Sequence, residues 1–427
     1  MRDIRATSAN EELQRNVRCG VLNRAFSEVG KTLADPNVVL SLFVRQLGAS
    51  NVLVGLLSTI RYGGWFLPQL FVADRLQHRA LRGRVYVAAQ LARCLGYAVI
   101  ALAILAMPTS RTLLPVFFGL FALSYLGHGI GSVPRFDVIG RAIPAEIRGS
   151  YFARANLIAG VFGFAAGFIV QALFRSGTDS PPVQRYAFLL LLSILFYGLA
   201  VAAFSGIRER DGVVKEGKPS LQRSLRSIPS MLSENRPYRR LAGTLVLMDV
   251  ARRISDPFYI VFATEILGAP VFVAGAYLST LVFAKILANL FWARISQRFG
   301  NQRVLQISAA AAFAVPAVTL AFTLVGTSGG AVSGYLFASV YVLMGLRDSG
   351  KYVGKRSVFL DLVPEEGRPI HWGTLNTLLG LASFLPVLAG TMIDGLGFTI
   401  TFGIVAAVSL VGLLSSLGIQ ELPANTA

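Results

Sequence analysis

The chain has 427 residues, of which 54% are hydrophobic and only 15% charged, and it carries a formal net charge of +18. An ordinary soluble domain has about 25% charged residues, so this composition excludes that class and points to a helical membrane protein. So positive a charge would suit nucleic acid, but in a membrane protein basic loops on one face account for it, and no nucleic-acid partner is expected.

The N-terminal tail, Met1–Cys19, is polar with no apolar run. No cleaved signal peptide is therefore expected, and the first span acts as an uncleaved insertion signal. Twelve apolar runs follow, each about 20 residues or longer, enough to cross roughly 30 Å of hydrocarbon as helix. They are predicted at 21–46, 51–74, 84–107, 113–140, 150–174, 185–207, 240–266, 270–296, 302–326, 331–356, 370–393 and 398–419. Most Lys and Arg lie in the tail and the loops after even-numbered spans, against Arg45, Arg111, Arg175 and Arg185 after odd-numbered ones. The positive-inside rule then puts both termini in the cytoplasm of a plasma membrane of the bacterial inner-membrane type.

Span 1 contains Glu28, Lys31 and Asp35, followed by Pro36. Span 7 repeats the arrangement with Asp249, Arg252, Asp256 and Pro257. Acid, base three on and acid four on predict one charged stripe per helix. At the middle of a bilayer each such charge costs roughly 2.5–3.5 kcal/mol on insertion scales, so two matched triplets require a wet cavity or partners. Span 2 adds Arg61, span 4 adds His128, Arg135 and Asp137, span 8 adds Lys285, and span 10 adds Arg347, Asp348 and Lys351. Spans 6, 9 and 12 have essentially no charge.

One long polar connection divides the chain into a first bundle at 1–207, a linker at 208–239 and a second bundle at 240–427. Within the linker Leu221, Leu225, Ile228, Met231 and Leu232 recur at helical spacing beside Arg223 and Arg226. That pattern predicts a short helix lying on the membrane surface.

The two halves repeat one another at an offset of about 220 residues. Leu47–Gly48–Ala49–Ser50 matches Leu267–Gly268–Ala269–Pro270, Ser58–Thr59 matches Ser279–Thr280, and Ile143–Pro144–Ala145–Glu146 matches Val363–Pro364–Glu365–Glu366. The fold class is therefore all-α, with two six-helix bundles in the same orientation related by an axis along the membrane normal.

On these residues the chain resembles the major facilitator superfamily. Asp74–Arg75 keeps the acid–base core of that family's loop signature after the second span, although Leu70 and Gln77 replace its glycines. The loop after span 8 keeps Arg298 and Gly300 but lacks the acid. The resemblance implies that helices 1, 4, 7 and 10 line a central cavity. It also implies transport of a small organic solute by alternating access, with protons or sodium as coupling ion and a monomer as the working unit.

Glu28, Lys31, Asp35, Asp249, Arg252 and Asp256 are then candidates for coupling or gating, or simply for mutual neutralisation along the helix. Arg61, His128, Lys285, Arg347, Asp348 and Lys351 are candidates for substrate binding, and Asp74, Arg75, Arg135, Asp137 and Arg298 for a cytoplasmic gate. Arg93 in span 3 is read as snorkelling or capping a cavity wall, with no ligand role expected. The surplus of Arg and Lys favours an anionic or zwitterionic solute. An exporter of cationic or amphipathic compounds, and a non-transporting receptor on the same fold, stay open.

An enzyme is not expected. No phosphate-binding Gly-x-x-x-x-Gly-Lys-Ser/Thr sequence occurs, and the three histidines, His78, His128 and His371, fit no metal spacing. Cys19 and Cys94 imply no disulfide framework, and no cofactor is expected.

Overall fold

Proline and glycine punctuate the apolar runs, and the chain folds into helices between them. The computed structural model describes residues 2–76, 81–175, 182–209, 233, 235–325, 330–363 and 368–419. The linker helix predicted at 221–232 lies outside the described residues.

Spans 1 to 6 form α1 (Arg2–Leu33), α2 (Val39–Gln46), α3 (Asn51–Leu76), α4 (Gly83–Ala106), α5 (Leu113–Ala142), α6 (Ala145–Phe174) and α7 (Gln184–Ser205). Spans 7 to 12 form α8 (Arg236–Ser255), α9 (Tyr259–Glu265), α10 (Val273–Phe299), α11 (Asn301–Val325), α12 (Gly330–Leu362), α13 (Arg368–Leu381) and α14 (Leu385–Leu417). Among the described residues there is no strand.

Span 1 is two helices, because Pro36 lacks an N–H and forces Asp35 away from helical geometry. The break covers Ala34–Val38, and the Asp35 carboxylate accepts from the backbone N–H of Asn37 (2.9 Å) and Val38 (3.2 Å). Span 7 is interrupted at the matching place, by the short 3-10 turn Asp256–Phe258 that holds Pro257. The repeat extends to the backbone beyond each break. Gly48 and Gly268 both take positive φ, +80° and +65°, where glycine carries no Cβ penalty, and each turns the chain into the next span. Gly300 (φ +83°) does the same between α10 and α11, and Gly397 at φ +80° separates the last two spans inside α14.

The chain divides into two compact units. Unit 1 comprises Met1–Leu47 with Ile60–Pro219, and unit 2 comprises Gly48–Thr59 with Ser220–Ala427. In unit 1, α1 packs on α6 and α7, and α4 on α5 and α7. In unit 2, α8 packs on α14, and α11 on α12 and α14, which is the same arrangement of spans. The opening turns of α3 belong to unit 2 and meet α14 at backbone distance. A Cβ on Gly55 would lie 2.0 Å from the Pro386 carbonyl oxygen, and one on Gly390 2.4 Å from that of Asn51. The Asn51 side-chain amide also donates to Asp394 (2.7 Å).

Burial is inverted relative to a soluble protein. Leu95, Leu102 and Leu123 are more than 60% exposed, whereas Arg93, Asp256 and Arg347 are at most 5% exposed. Only an apolar surrounding makes that arrangement favourable. Among the described residues seven helical stretches are long and apolar enough to cross a membrane. The charge-bearing α1, α8 and α12 fall outside that set because their polar residues lower the mean hydropathy.

Candidate functional site

Each unit carries its own group of charges within the spanning helices. In unit 2, α8, the turn after it and α12 build a closed network. Arg347 donates through both terminal nitrogens to the two oxygens of Asp256 (2.8 and 2.9 Å), and through Nε to Asp348 (3.0 Å). Lys285 on α10 holds the other oxygen of Asp348 at 3.1 Å. Asp249 takes Lys351 and Arg252 (3.1 Å), with Arg253 at 3.9 Å, and Arg252 also stands 3.7 Å from Asp256. Arg253 donates to Ser383 (3.0 Å). Every acid here meets at least two cations, and Asp256 and Arg347 are close enough for a bidentate pair in which little carboxylate remains unbonded.

Asp249 and Arg252 lie on α8, and Asp256 opens the 3-10 turn that follows it. In unit 1 the stripe is incomplete. Glu28 and Lys31 lie on α1, whereas Asp35 sits in the break and spends one oxygen on the local backbone. Glu28 is bridged by Arg24 (2.8 Å) and Lys31 (3.0 Å). Arg61 on α3 approaches Asp35 only to 4.0 Å.

At an offset of 220, unit 1 has Gly127, His128 and Gly131 where unit 2 has Arg347, Asp348 and Lys351. The glycines let α4 approach, and a Cβ on Gly127 would stand 3.1 Å from the Ala89 carbonyl oxygen. From that neighbouring helix comes Arg93, which is 4% exposed. Its guanidinium lies 4.0, 5.3 and 5.5 Å from the rings of Tyr197, Tyr97 and Tyr125. It donates to the Tyr197 hydroxyl (2.7 Å) and stands 3.2 Å from His128 Nδ1. Among the described residues Arg93 makes no salt bridge. A desolvated cation on an aromatic face gains about 2 kcal/mol, less than taking the charge out of water costs. The sequence reading gave this residue no ligand role, although a tyrosine one turn after an arginine in an apolar span was an available signal.

The cytoplasmic candidates separate. Asp137 joins Arg82 (2.9 Å) and Arg141 (2.5 Å), and Arg141 reaches Glu209 (2.6 Å), whose oxygens also accept from the backbone N–H of Arg82 and Gly83 at the start of α4. This clamp recruits Arg82, Arg141 and Glu209, which hydropathy alone did not single out. Arg135 is not part of it and donates instead to the buried Asn23 (3.0 Å). Arg298 is exposed over Phe299. Asp74 and Arg75 end α3, with side chains outside those described. No cluster of metal-binding side chains occurs among the described residues.

The family model of the Major Facilitator Superfamily matches residues 241–424. No curated protein matches the sequence significantly. Solved structures similar to this chain include a bacterial homologue of the iron transporter ferroportin in an inward-facing state, with a TM-score of 0.71 at 15% identity, covering 95% of this chain and 98% of that one. The nucleoside transporter NupG gives 0.69 at 14% identity over 95% and 99%. A D-xylose–proton symporter gives 0.67 at 15% identity over 95% and 97%. The resemblance read from the loop residues and the repeat is borne out: the second half carries the superfamily's sequence pattern, and the whole chain has its fold.

Proposed function

Taking the major facilitator fold as the starting point, we propose that the protein is a secondary active transporter of a small anionic organic solute, working by alternating access in a plasma membrane. In this reading both termini are cytoplasmic, the working unit is a monomer and protons supply the energy. One proton carried with one monoanion moves no net charge, so the pH difference alone drives accumulation, at ~1.4 kcal/mol or about tenfold per pH unit, and each further proton per cycle adds that amount again together with about 2.3 kcal/mol per 100 mV.

One observation carries the anionic preference. In the spanning part of unit 1, Arg24, Lys31, Arg61, Arg93 and Arg135 are set against Glu28 and Asp35, the third acid, Asp137, being taken by Arg82 and Arg141, whereas unit 2 neutralises most of its cations internally. An uncompensated positive region inside a low-dielectric wall attracts an anion and orients it. Among the described residues Asp35 pairs with Arg61 at 4.0 Å, a long contact, and it is assigned the coupling proton.

Proteoliposomes loaded against a pH gradient test this. A panel of anionic and cationic solutes at two pH values is expected to show accumulation of anions only. Asp35→Asn is expected to abolish accumulation while leaving solute exchange across the membrane. Accumulation of cations instead would support a proton-antiporting exporter, and no movement of any solute would support a receptor on this fold.

A further inference from the structure

Resting on the reading of an anion transporter, we infer that Arg93 and its tyrosines hold His128 as a neutral imidazole that offers its Nε2–H to an oxygen of the solute. His128 is then a fixed hydrogen-bond donor and Arg93 its positioning residue, and neither carries the coupling proton.

The argument starts from donor chemistry. A guanidinium has only N–H donors and keeps its charge at every relevant pH, so an acceptor must face it. His128 Nδ1 stands 3.2 Å from Arg93 Nη1, which makes Nδ1 the acceptor and leaves the ring's single proton on Nε2. A second proton on Nδ1 would set two donors, both cationic, against each other.

The guanidinium has no room to turn away. Its Nη2 donates to the hydroxyls of Tyr197 (2.7 Å) and Tyr97 (3.4 Å), and its carbon is 4.0 Å from the Tyr197 ring. Tyr97 and Tyr197 are themselves buried. Tyr125 fixes the imidazole from the side, edge to face at 6.0 Å.

His128 itself is only half-buried, and its Nε2 has no hydrogen-bond partner among the described residues. The groups whose charges act most strongly on the ring are Arg93 on α4, Arg135 on its own helix α5, Arg61 on α3 and Lys31 on α1. A neutral donor set among four cations fits a carboxylate or phosphate oxygen. A titrating histidine would add a fifth positive charge to the same spot.

Nuclear magnetic resonance of the full chain labelled with 15N-histidine reads the ring directly. Only three histidines occur, so His78→Gln with His371→Gln leaves His128 alone, provided purification avoids a histidine tag. Between about pH 5 and pH 8 the spectrum is expected to show one neutral tautomer with Nδ1 unprotonated. Arg93→Lys is expected to release the ring, giving mixed tautomers or a protonated form within that range. An imidazolium signal in the parent, or a proton on Nδ1, would overturn the inference.

The ligand half has its own readout. Succinate, inorganic phosphate and benzoate, added in turn, are expected to shift the Nε2 resonance in at least one case, and silence with all three overturns the donor role. In liposomes, uptake of whichever anion is carried is expected to fall about tenfold or more with His128→Asn, whose amide does not reach the Nε2 position. His128→Gln, which does reach it, is expected to restore most of that loss with the parent pH profile. A flattened pH profile in His128→Gln would make the histidine a proton carrier and refute the assignment. If the tautomer is as inferred but no solute moves, the transport reading fails and the ring geometry stands.

Discussion

The pair between Asp256 and Arg347 allows a direct energetic test. Both side chains are at most 5% exposed, and the guanidinium makes two short bonds to one carboxylate and a third to Asp348. Asp256→Asn removes a full charge but keeps the shape. It leaves Arg347 with Asp348 alone, and Asp348 is shared with Lys285 at 3.1 Å. A buried cation stripped of its main partner destabilises by about 3–5 kcal/mol, and Arg347→Gln should cost the same for the stranded carboxylate. The double variant strands neither charge in that pair, so its cost should fall short of the sum by about 2 kcal/mol or more. The measurement is reversible denaturant unfolding of the purified protein in mixed micelles, run on all four members of the cycle. Additivity within about 0.5 kcal/mol would show that the two residues do not depend on each other, and the closed network of unit 2 would be refuted.

Three further outcomes follow from the geometry. Gly55→Val places a side chain on the Pro386 carbonyl and should cost about 1–3 kcal/mol in the same unfolding assay, with Gly390→Val behaving alike; unchanged stability in both would mean α3 does not sit against α14. Gly397→Ala forces a Cβ into positive φ and should cost about 1–2 kcal/mol, visible as a lowered unfolding midpoint. Glu209→Gln keeps one of the two acceptors at the start of α4 and loses the other together with the charge facing Arg141, so a loss of about 1–3 kcal/mol is expected that high salt does not restore.

Span number and the internal repeat were legible in the sequence; the breaks of spans 1 and 7 were read as continuous helix, although each has a local cause. Apolar length sets the spans, Pro36 and Pro257 set the interruptions, and the glycine of each Leu-Gly-Ala turn sets the left-handed residue at 48 and 268. Partner choice was not legible, because it depends on which helices neighbour one another. Asp35 and Asp256 occupy equivalent positions, yet one binds its own backbone and the other a guanidinium 91 residues away. Spacing alone gives both the same stripe. Arg93 was passed over for a related reason: a single cation in an apolar helix looks like a lipid-facing or wall residue until the tyrosines of α5 and α7 are placed around it.

The contrast between the two charge groups bears on how such a protein can change over time. In the second unit each ion leans on several others, so a substitution there strands its neighbours and must be accompanied by compensating ones. In the first unit Glu28 and Asp137 also hold cations closely, but Arg93 rests on aromatic faces and Arg61 stands 4.0 Å from Asp35. New solute preferences should therefore arise by drift in the first half of the chain, while the second half keeps a recognisable pattern, and residues 241–424 are the stretch where that pattern is still read.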